Sequence, residues 1–213
     1  MAEVERMAPV QTNFDRYQRI ASVYDLLDLP FEYGRYRHIR PRLFEGLSGR
    51  ILDAGVGTGR NIPFYPASAT VIGIDLSPAM LARAGQRARR LGRMVELHQM
   101  DVTSLTFADQ SFDAAVSSFL FCVLPDEIQV AALREIARVL KPGGMLRLLE
   151  YVRPQGTLRA AIARLWEPWM AWAYGAGFDR RTEEHVVCAG LEILESRFVV
   201  DDLIKLISVR RAG

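Results

Sequence analysis

The segment Asp53-Ala-Gly55-Val-Gly57-Thr-Gly59 follows a short apolar run and sets three glycines at alternate positions. Glycine lets a backbone turn sharply and lets a ligand approach it closely. Asp75 ends the next apolar run. A carboxylate there can accept both hydroxyls of an adenosine ribose. Nicotinamide and flavin sites use the same pair of features. Their fingerprint wants a further glycine at position 60, and this chain has Arg60. An ordinary strand–helix turn would also accommodate the glycines. Later features narrow the choice. Asp101-Val102 follows a third apolar run, Ser118 ends a fourth, and Lys141-Pro-Gly-Gly144 precedes a fifth.

Those residues need elements to hold them. Runs at 50–53, 70–75, 94–98, 112–118 and 145–150 read as strands, with 109–112 as the turn before the fourth. Helical spacing over 78–91 and 126–140 separates them. Alternating strands and helices predict a parallel sheet with right-handed crossovers. Residues 191–200 and 205–210 read as two strands joined by a tight link at Asp201-Asp202, which makes that last pair antiparallel. Before the sheet, residues 1–12 read as unstructured. Residues 14–29 carry Tyr17, Ile20, Val23 and Leu27 at helical spacing, and Pro30 stops that helix. Residues 31–47 are arginine-rich and aromatic. Residues 157–176 read as a helix interrupted by Pro168.

A chain of 213 residues with 50% hydrophobic content suits one α/β domain with a proper core. The net charge of +2 is too small to point to nucleic acid. Two of the 27 basic residues are lysine, Lys141 and Lys205, so 25 are arginine. Arginine favours bidentate contacts with phosphate or carboxylate, although a biased base composition would give the same excess. Cys122 and Cys188 lack CxxC partners, so neither a disulfide framework nor a zinc knuckle is expected. His38, His98 and His185 are scattered, and no metal cluster is expected. The first residues lack the apolar core of a signal peptide, and no run approaches the ~18 residues of a membrane span.

Taken in order and spacing across about residues 50–150, these motifs resemble those of the class I S-adenosylmethionine-dependent methyltransferases. The resemblance implies a Rossmann-like α/β fold. Its mostly parallel seven-stranded sheet carries an antiparallel C-terminal strand and helices on both faces. It implies lid helices over residues 1–47, a methyltransferase domain over 48–213, and a Trp-rich helical insert at about 157–188. It also implies a cofactor site made by Tyr17, Asp53, Gly55, Gly57, Thr58, Gly59, Asn61, Asp75, Leu76, Met80, Asp101, Val102 and Ser118. The cofactor is S-adenosyl-L-methionine and its product S-adenosyl-L-homocysteine. Transfer from a sulfonium carbon is an in-line displacement, so the protein mainly aligns donor and acceptor.

Two segments speak to the acceptor. Ala21-Ser-Val-Tyr24-Asp25 resembles the start of quinone C-methyltransferases and of the short, soluble-type bacterial phosphatidylethanolamine N-methyltransferases. In residues 158–177, Trp166, Trp169 and Trp172 share one helical face. Tryptophan favours the membrane interface, and Arg159 and Arg164 could meet lipid phosphates. A stripe buried in the core or the substrate pocket is the alternative. The chain also resembles the phospholipid enzymes through 61–66 and 149–152, and it is similar to thiol methyltransferases through Phe64-Tyr-Pro66. The phospholipid resemblance implies methylation of phosphatidylethanolamine and its mono- and dimethyl products to phosphatidylcholine. It implies peripheral attachment to an anionic membrane at the inner face of the cytoplasmic membrane. An ammonium must lose a proton before it attacks. Glu150, Tyr24 and His185 are candidates to assist, and Glu150 could instead order a neighbouring loop. Arg153, Trp166, Trp169, Arg180 and Arg181 are candidates to hold the lipid. A quinone precursor, a small thiol, or cofactor binding without catalysis are the rival readings.

Overall fold

The computed structural model describes residues 32–154, 156, 160–161, 164–165, 167, 177 and 181–212. Tyr17, Tyr24, Trp166, Trp169, Trp172 and Arg180 lie outside the described residues.

The described chain begins with three short helical segments, Glu32–Tyr36, Arg37–Ile39 and Arg40–Leu43. The sheet then opens with β1 (Gly49–Ala54) and β2 (Ala69–Asp75), followed by α1 (Pro78–Arg90) and β3 (Glu96–Gln99). It continues with β4 (Phe112–Ser118), α2 (Asp126–Val139) and β5 (Leu140–Tyr151). After α3 (Thr182–Cys188), β6 (Leu191–Val200) and β7 (Ile204–Arg211) complete it.

The seven strands run in the order β3-β2-β1-β4-β5-β7-β6. The first five are parallel, and β7 is antiparallel to both β5 and β6. The strand order reverses between β1 and β4. A crevice outside the carboxyl ends of the strands at such a point is where open α/β sheets take ligands.

Alternation along each strand feeds two cores. Ile51 packs with Val71, Ala84, Ala88 and the 36–47 turns on one face. Leu52, its neighbour, packs with Ile72, Phe112, Leu133 and Ile136 on the other. Both faces are covered, so the middle strands are buried throughout, as parallel strands between helix layers must be. α1 presents Met80, Ala84 and Ala88 at a spacing of four. Its start is set by Ser77, whose Oγ accepts the Met80 N–H at 3.3 Å, and by Pro78 at the first helical position.

The expected sheet is observed, with one difference at β5. The stretch 141–144 reads as punctuation before that strand. In the fold β5 starts at Leu140, opposite Phe112, and the pairing resumes only at Met145, opposite Ala114. Residues 141–144 therefore loop out opposite Asp113, whose carboxylate takes both Lys141 Nζ and the Arg50 N–H. An ion pair across the gap keeps the strand together where its ladder is broken.

Candidate active site

β1 ends at Ala54, and the glycine loop leaves from the switch point. Gly55 and Val56 both donate to Ile74 O, at 3.0 and 2.9 Å, which folds the loop back over the end of β2. Gly59 has φ +80°, and a Cβ there would lie 2.5 Å from Ile62 Cδ1 and 3.0 Å from the Ala84 Cα of α1. Its lack of a side chain lets α1 pack close. Gly57 differs: φ is +54° and nothing lies within 4 Å of the Cβ position. Among the described residues, nothing fills the space beside it.

Asp75 meets the loop there. One oxygen accepts Gly57 N–H and the other Ser77 N–H, both at 2.9 Å. Burial pushes its carboxyl up to about 6, although backbone N–H groups pull the other way. It remains ionised at neutral pH, partly exposed, with lone pairs left for hydroxyls. Leu76 is partly exposed beside it, and the buried Met80 starts α1. Asp101 Oδ1 accepts Thr103 N–H and Oγ at 2.8 Å, which fixes the turn after β3. Val102 is buried at that turn. Leu105 N–H on Glu135, and Arg138 on the carbonyls of Leu105 and Phe107, clamp the following loop to α2.

Asp53 lies deeper. It is fully buried and accepts the Tyr65 hydroxyl at 2.6 Å and Asn61 Nδ2 at 3.2 Å. Burial pushes it up to about 6 against those bonds and against the charge of Arg40. The same burial, with Asp53 beside it, raises Tyr65 well above its ordinary value. Asp53 thus sits beneath the loop and acts on its far end through Asn61. Thr58 is buried and its carbonyl and hydroxyl hold Arg87 of α1, at 2.8 and 3.2 Å.

Ser118 ends β4, and its Oγ accepts from Arg40 and Asn61, both at 3.1 Å. Phe119 follows with φ +59°, a conformation rare for a bulky residue. Its N–H extends the ladder to Leu149 O at 2.8 Å. Its ring packs on Tyr36 and Tyr151, at centroid distances of 4.9 and 5.1 Å. Strain of this kind is held in place by surrounding contacts and gathers at functional sites.

Two of the residues considered for proton transfer are otherwise engaged. Glu150 is fully buried, and its carboxylate accepts the backbone N–H groups of Leu120, Phe121 and Cys122 at 3.0–3.1 Å. Burial pushes it up to about 7 despite those bonds. It anchors the loop after β4, which favours the loop-ordering alternative over the general-base reading. His185 Nδ1 pairs with Gln129 Oε1 at 3.0 Å. Gln129 Nε2 in turn donates to Phe121 O and Leu124 O. His185 thus supports the same loop from α3. Of the residues considered for lipid, Arg153 is exposed and bridged to Glu167 at 3.3 Å, and Arg181 is exposed and bridged to Glu184 at 3.4 Å. The structure does not bring them to the glycine loop by any direct contact.

Arg40, Glu32, Tyr65, Gln129 and Phe119 were not singled out from sequence. Tyr65 lies in the 61–66 stretch and Arg40 in the arginine-rich segment, yet nothing local marks either as buried.

The site fits a nucleoside cofactor. An open glycine cradle adjoins an ionised carboxylate at the carboxyl edge of β2, with the turn at Asp101-Val102 on the next strand. A methyltransferase domain family model matches residues 51–144. The phosphatidylethanolamine N-methyltransferase of Cereibacter sphaeroides is 38% identical over 142 residues, 64% of this chain and 68% of that protein. The ubiquinone/menaquinone biosynthesis C-methyltransferase of Syntrophotalea carbinolica is 37% identical over 164 residues, 73% of this chain and 68% of that protein. The chain belongs to the class I S-adenosylmethionine-dependent methyltransferases.

Solved structures show the same fold. Geranyl diphosphate C-methyltransferase from Streptomyces coelicolor A3(2), solved with S-adenosyl-L-homocysteine, matches with a TM-score of 0.68 at 15% identity, over 83% of this chain and 76% of that one. The [4+2]-cyclase SpnF matches with a TM-score of 0.68 at 23% identity, over 82% and 80%. A cyclase and a methyltransferase on one fold show that the fold alone does not name a reaction. Among the described residues no group of three or more metal-binding side chains occurs, and no helix is long and apolar enough to cross a membrane.

Proposed function

We propose that the protein methylates the amine of phosphatidylethanolamine, and then its mono- and dimethyl products, towards phosphatidylcholine. The observation that carries this reading is the 38% identity to a phosphatidylethanolamine N-methyltransferase across 68% of that protein. The 37% identity to a quinone C-methyltransferase, over more of this chain, supports a second reading with a quinone precursor as acceptor.

S-adenosyl-L-methionine supplies an activated methyl group when bound. The chain's own residues then have three tasks. The open side of Gly57 and the carboxylate of Asp75 hold the nucleoside, with Leu76, Asp101 and Val102 beside its base. The loop 119–124, fixed by Glu150 and Gln129, shapes the acceptor side at the ends of β4 and β5. The ammonium must shed a proton before attack. With Glu150 and His185 occupied, Tyr24 or solvent takes that proton. Attachment to membrane is peripheral in this reading, through Arg153, Arg180, Arg181 and the tryptophans of the 157–188 segment. It weakens as salt rises.

The test is incubation of purified protein with radiolabelled cofactor and vesicles of phosphatidylethanolamine and phosphatidylglycerol, followed by thin-layer separation. Label in mono-, di- or trimethylated lipid supports the phospholipid reading. Absence of lipid label, with label entering a demethylmenaquinone included in parallel vesicles, replaces it by the quinone reading.

A further inference from the structure

Arg40 is a charged side chain in the interior, 4% exposed, paired with Glu32 at 6%. Nε and Nη2 grip the Glu32 carboxylate at 3.0–3.2 Å. Nη1 divides its two hydrogens between Asn61 Oδ1 at 2.8 Å and Ser118 Oγ at 3.1 Å. The guanidinium also lies 5.6 Å from the Phe119 ring centre and 6.0 Å from that of Tyr36. One planar group therefore joins the segment before the sheet, the turn that ends the glycine loop, and the end of β4.

This arrangement dictates how Asn61 stands. Its Oδ1 faces a cation, and its Nδ2 faces the Asp53 carboxylate at 3.2 Å. A flipped amide would set N–H against N–H and oxygen against oxygen. The two charges thus lock one orientation, and Nδ2 is left to bond Ser118 as well. Asn61 and Ser118 flank the switch point from β1 and β4. A buried ion pair is a poor source of stability, since a well-packed apolar pair of the same volume does as well or better. What the charges supply here is position.

We propose that Arg40 is a positioning residue of the cofactor site: held by Glu32, it fixes Asn61 and Ser118 at the rim between β1 and β4. The inference rests on the cofactor lying where the glycine loop and Asp75 place it, and it does not depend on which acceptor is methylated.

Calorimetric binding of S-adenosyl-L-homocysteine, with thermal melting alongside, separates positioning from plain stability. Arg40→Met strands the Glu32 carboxylate. It lowers the melting temperature and weakens binding at least tenfold. The double variant Glu32→Gln/Arg40→Met no longer strands the Glu32 charge, so it regains part of the lost melting temperature. Its affinity stays as weak as that of Arg40→Met, because Asn61 Oδ1 still lacks its guanidinium partner. Arg40→Lys keeps the charge but loses the planar fork, and it gives intermediate affinity should Arg40→Met fail to fold. Binding by Arg40→Met or Arg40→Lys within twofold of wild type overturns the proposal. So does a double variant that recovers affinity together with melting temperature. Asp75→Ala is measured in parallel: if it too binds as wild type, the site reading itself fails, whereas loss there with no loss at Arg40 counts against Arg40 alone.

Discussion

Glu150 Oε2 accepts the backbone N–H of Cys122 at 3.0 Å, across 28 residues of chain, while Oε1 takes the N–H groups of Leu120 and Phe121. A fully buried carboxylate at the end of β5 is thereby spent on the loop that follows β4. Glu150→Gln offers only one acceptor oxygen and turns an NH2 towards N–H donors. The expected loss is about 2 kcal/mol, seen as a fall of roughly 4–8 °C in melting temperature for a chain of this size. The acceptor KM rises with it. A general base would instead show as a loss of about 10²-fold or more in kcat with unchanged melting, and that result would return Glu150 to catalysis.

Gly57 and Gly59 separate folding from binding. At Gly59 an alanine Cβ would overlap Ile62 and the backbone of Ala84 in α1. Gly59→Ala is expected to cost about 2–4 kcal/mol from overpacking and the left-handed backbone together. At Gly57 only the backbone term applies, about 1–2 kcal/mol. Its added methyl enters the open side of the loop, so Gly57→Ala weakens S-adenosyl-L-homocysteine binding far more than it lowers melting. Equal loss of stability in the two variants would contradict the packing described.

Asp75→Asn keeps one acceptor oxygen but presents NH2 to the N–H of Gly57 or Ser77. Loss of a charged hydrogen bond of this kind amounts to about 1.5–3 kcal/mol. Calorimetry should therefore show cofactor affinity lower by about tenfold or more.

The hydroxyl of Tyr65 is the shortest bond to buried Asp53, at 2.6 Å. Tyr65→Phe removes it and leaves the carboxylate to Asn61. The expected cost is about 2 kcal/mol, and the Asp53 carboxyl rises above 6. Unchanged melting between pH 7 and 8 in Tyr65→Phe would show that the bond carries no net stability.

Asp53, Asp75 and Glu150 also set a pH dependence. All three are raised in the folded protein, to about 6, 6 and 7, from ordinary values of 3.8 and 4.5. Between those limits the folded chain binds more protons than the unfolded chain, so this contribution to stability falls as pH rises through the window. Asp113 and Glu135, held low by Lys141 and Arg138, stay ionised throughout. The apo protein should gain melting temperature from pH 8 to pH 5.5, and Glu150→Gln should gain less. Cofactor affinity should run the other way, falling below pH 6 as Asp75 takes up a proton. A flat melting profile identical in wild type and Glu150→Gln would remove the raised carboxylates from the account.

Seven strands and the two main helices were legible because their cues are local. Short apolar runs, helical spacing at 78–91 and the three glycines all act within a few residues. The same locality explains the misplaced start of β5. Lys141-Pro-Gly-Gly144 has turn chemistry, and only the partner strand shows that Leu140 is already paired with Phe112. Asp75 was legible as a candidate ligand because it ends the second apolar run, one strand over from the glycine loop.

Which side chains share the interior was decided by the tertiary structure alone. Arg40 meets Asn61 and Ser118 across 21 and 78 residues. Desolvation then makes its pairing with Glu32 obligatory, since neither charge tolerates burial alone. Glu150 and His185 stand at the expected edge of the fold, yet their neighbours are backbone N–H groups and an amide. The sequence by itself determined the element order, the glycine loop and the candidate acid of the nucleoside site, because each follows from residue type and short-range spacing. Only folding decided which of the buried polar groups hold the site in shape, because hydrogen-bond partners in an interior are assigned by packing across the whole sheet.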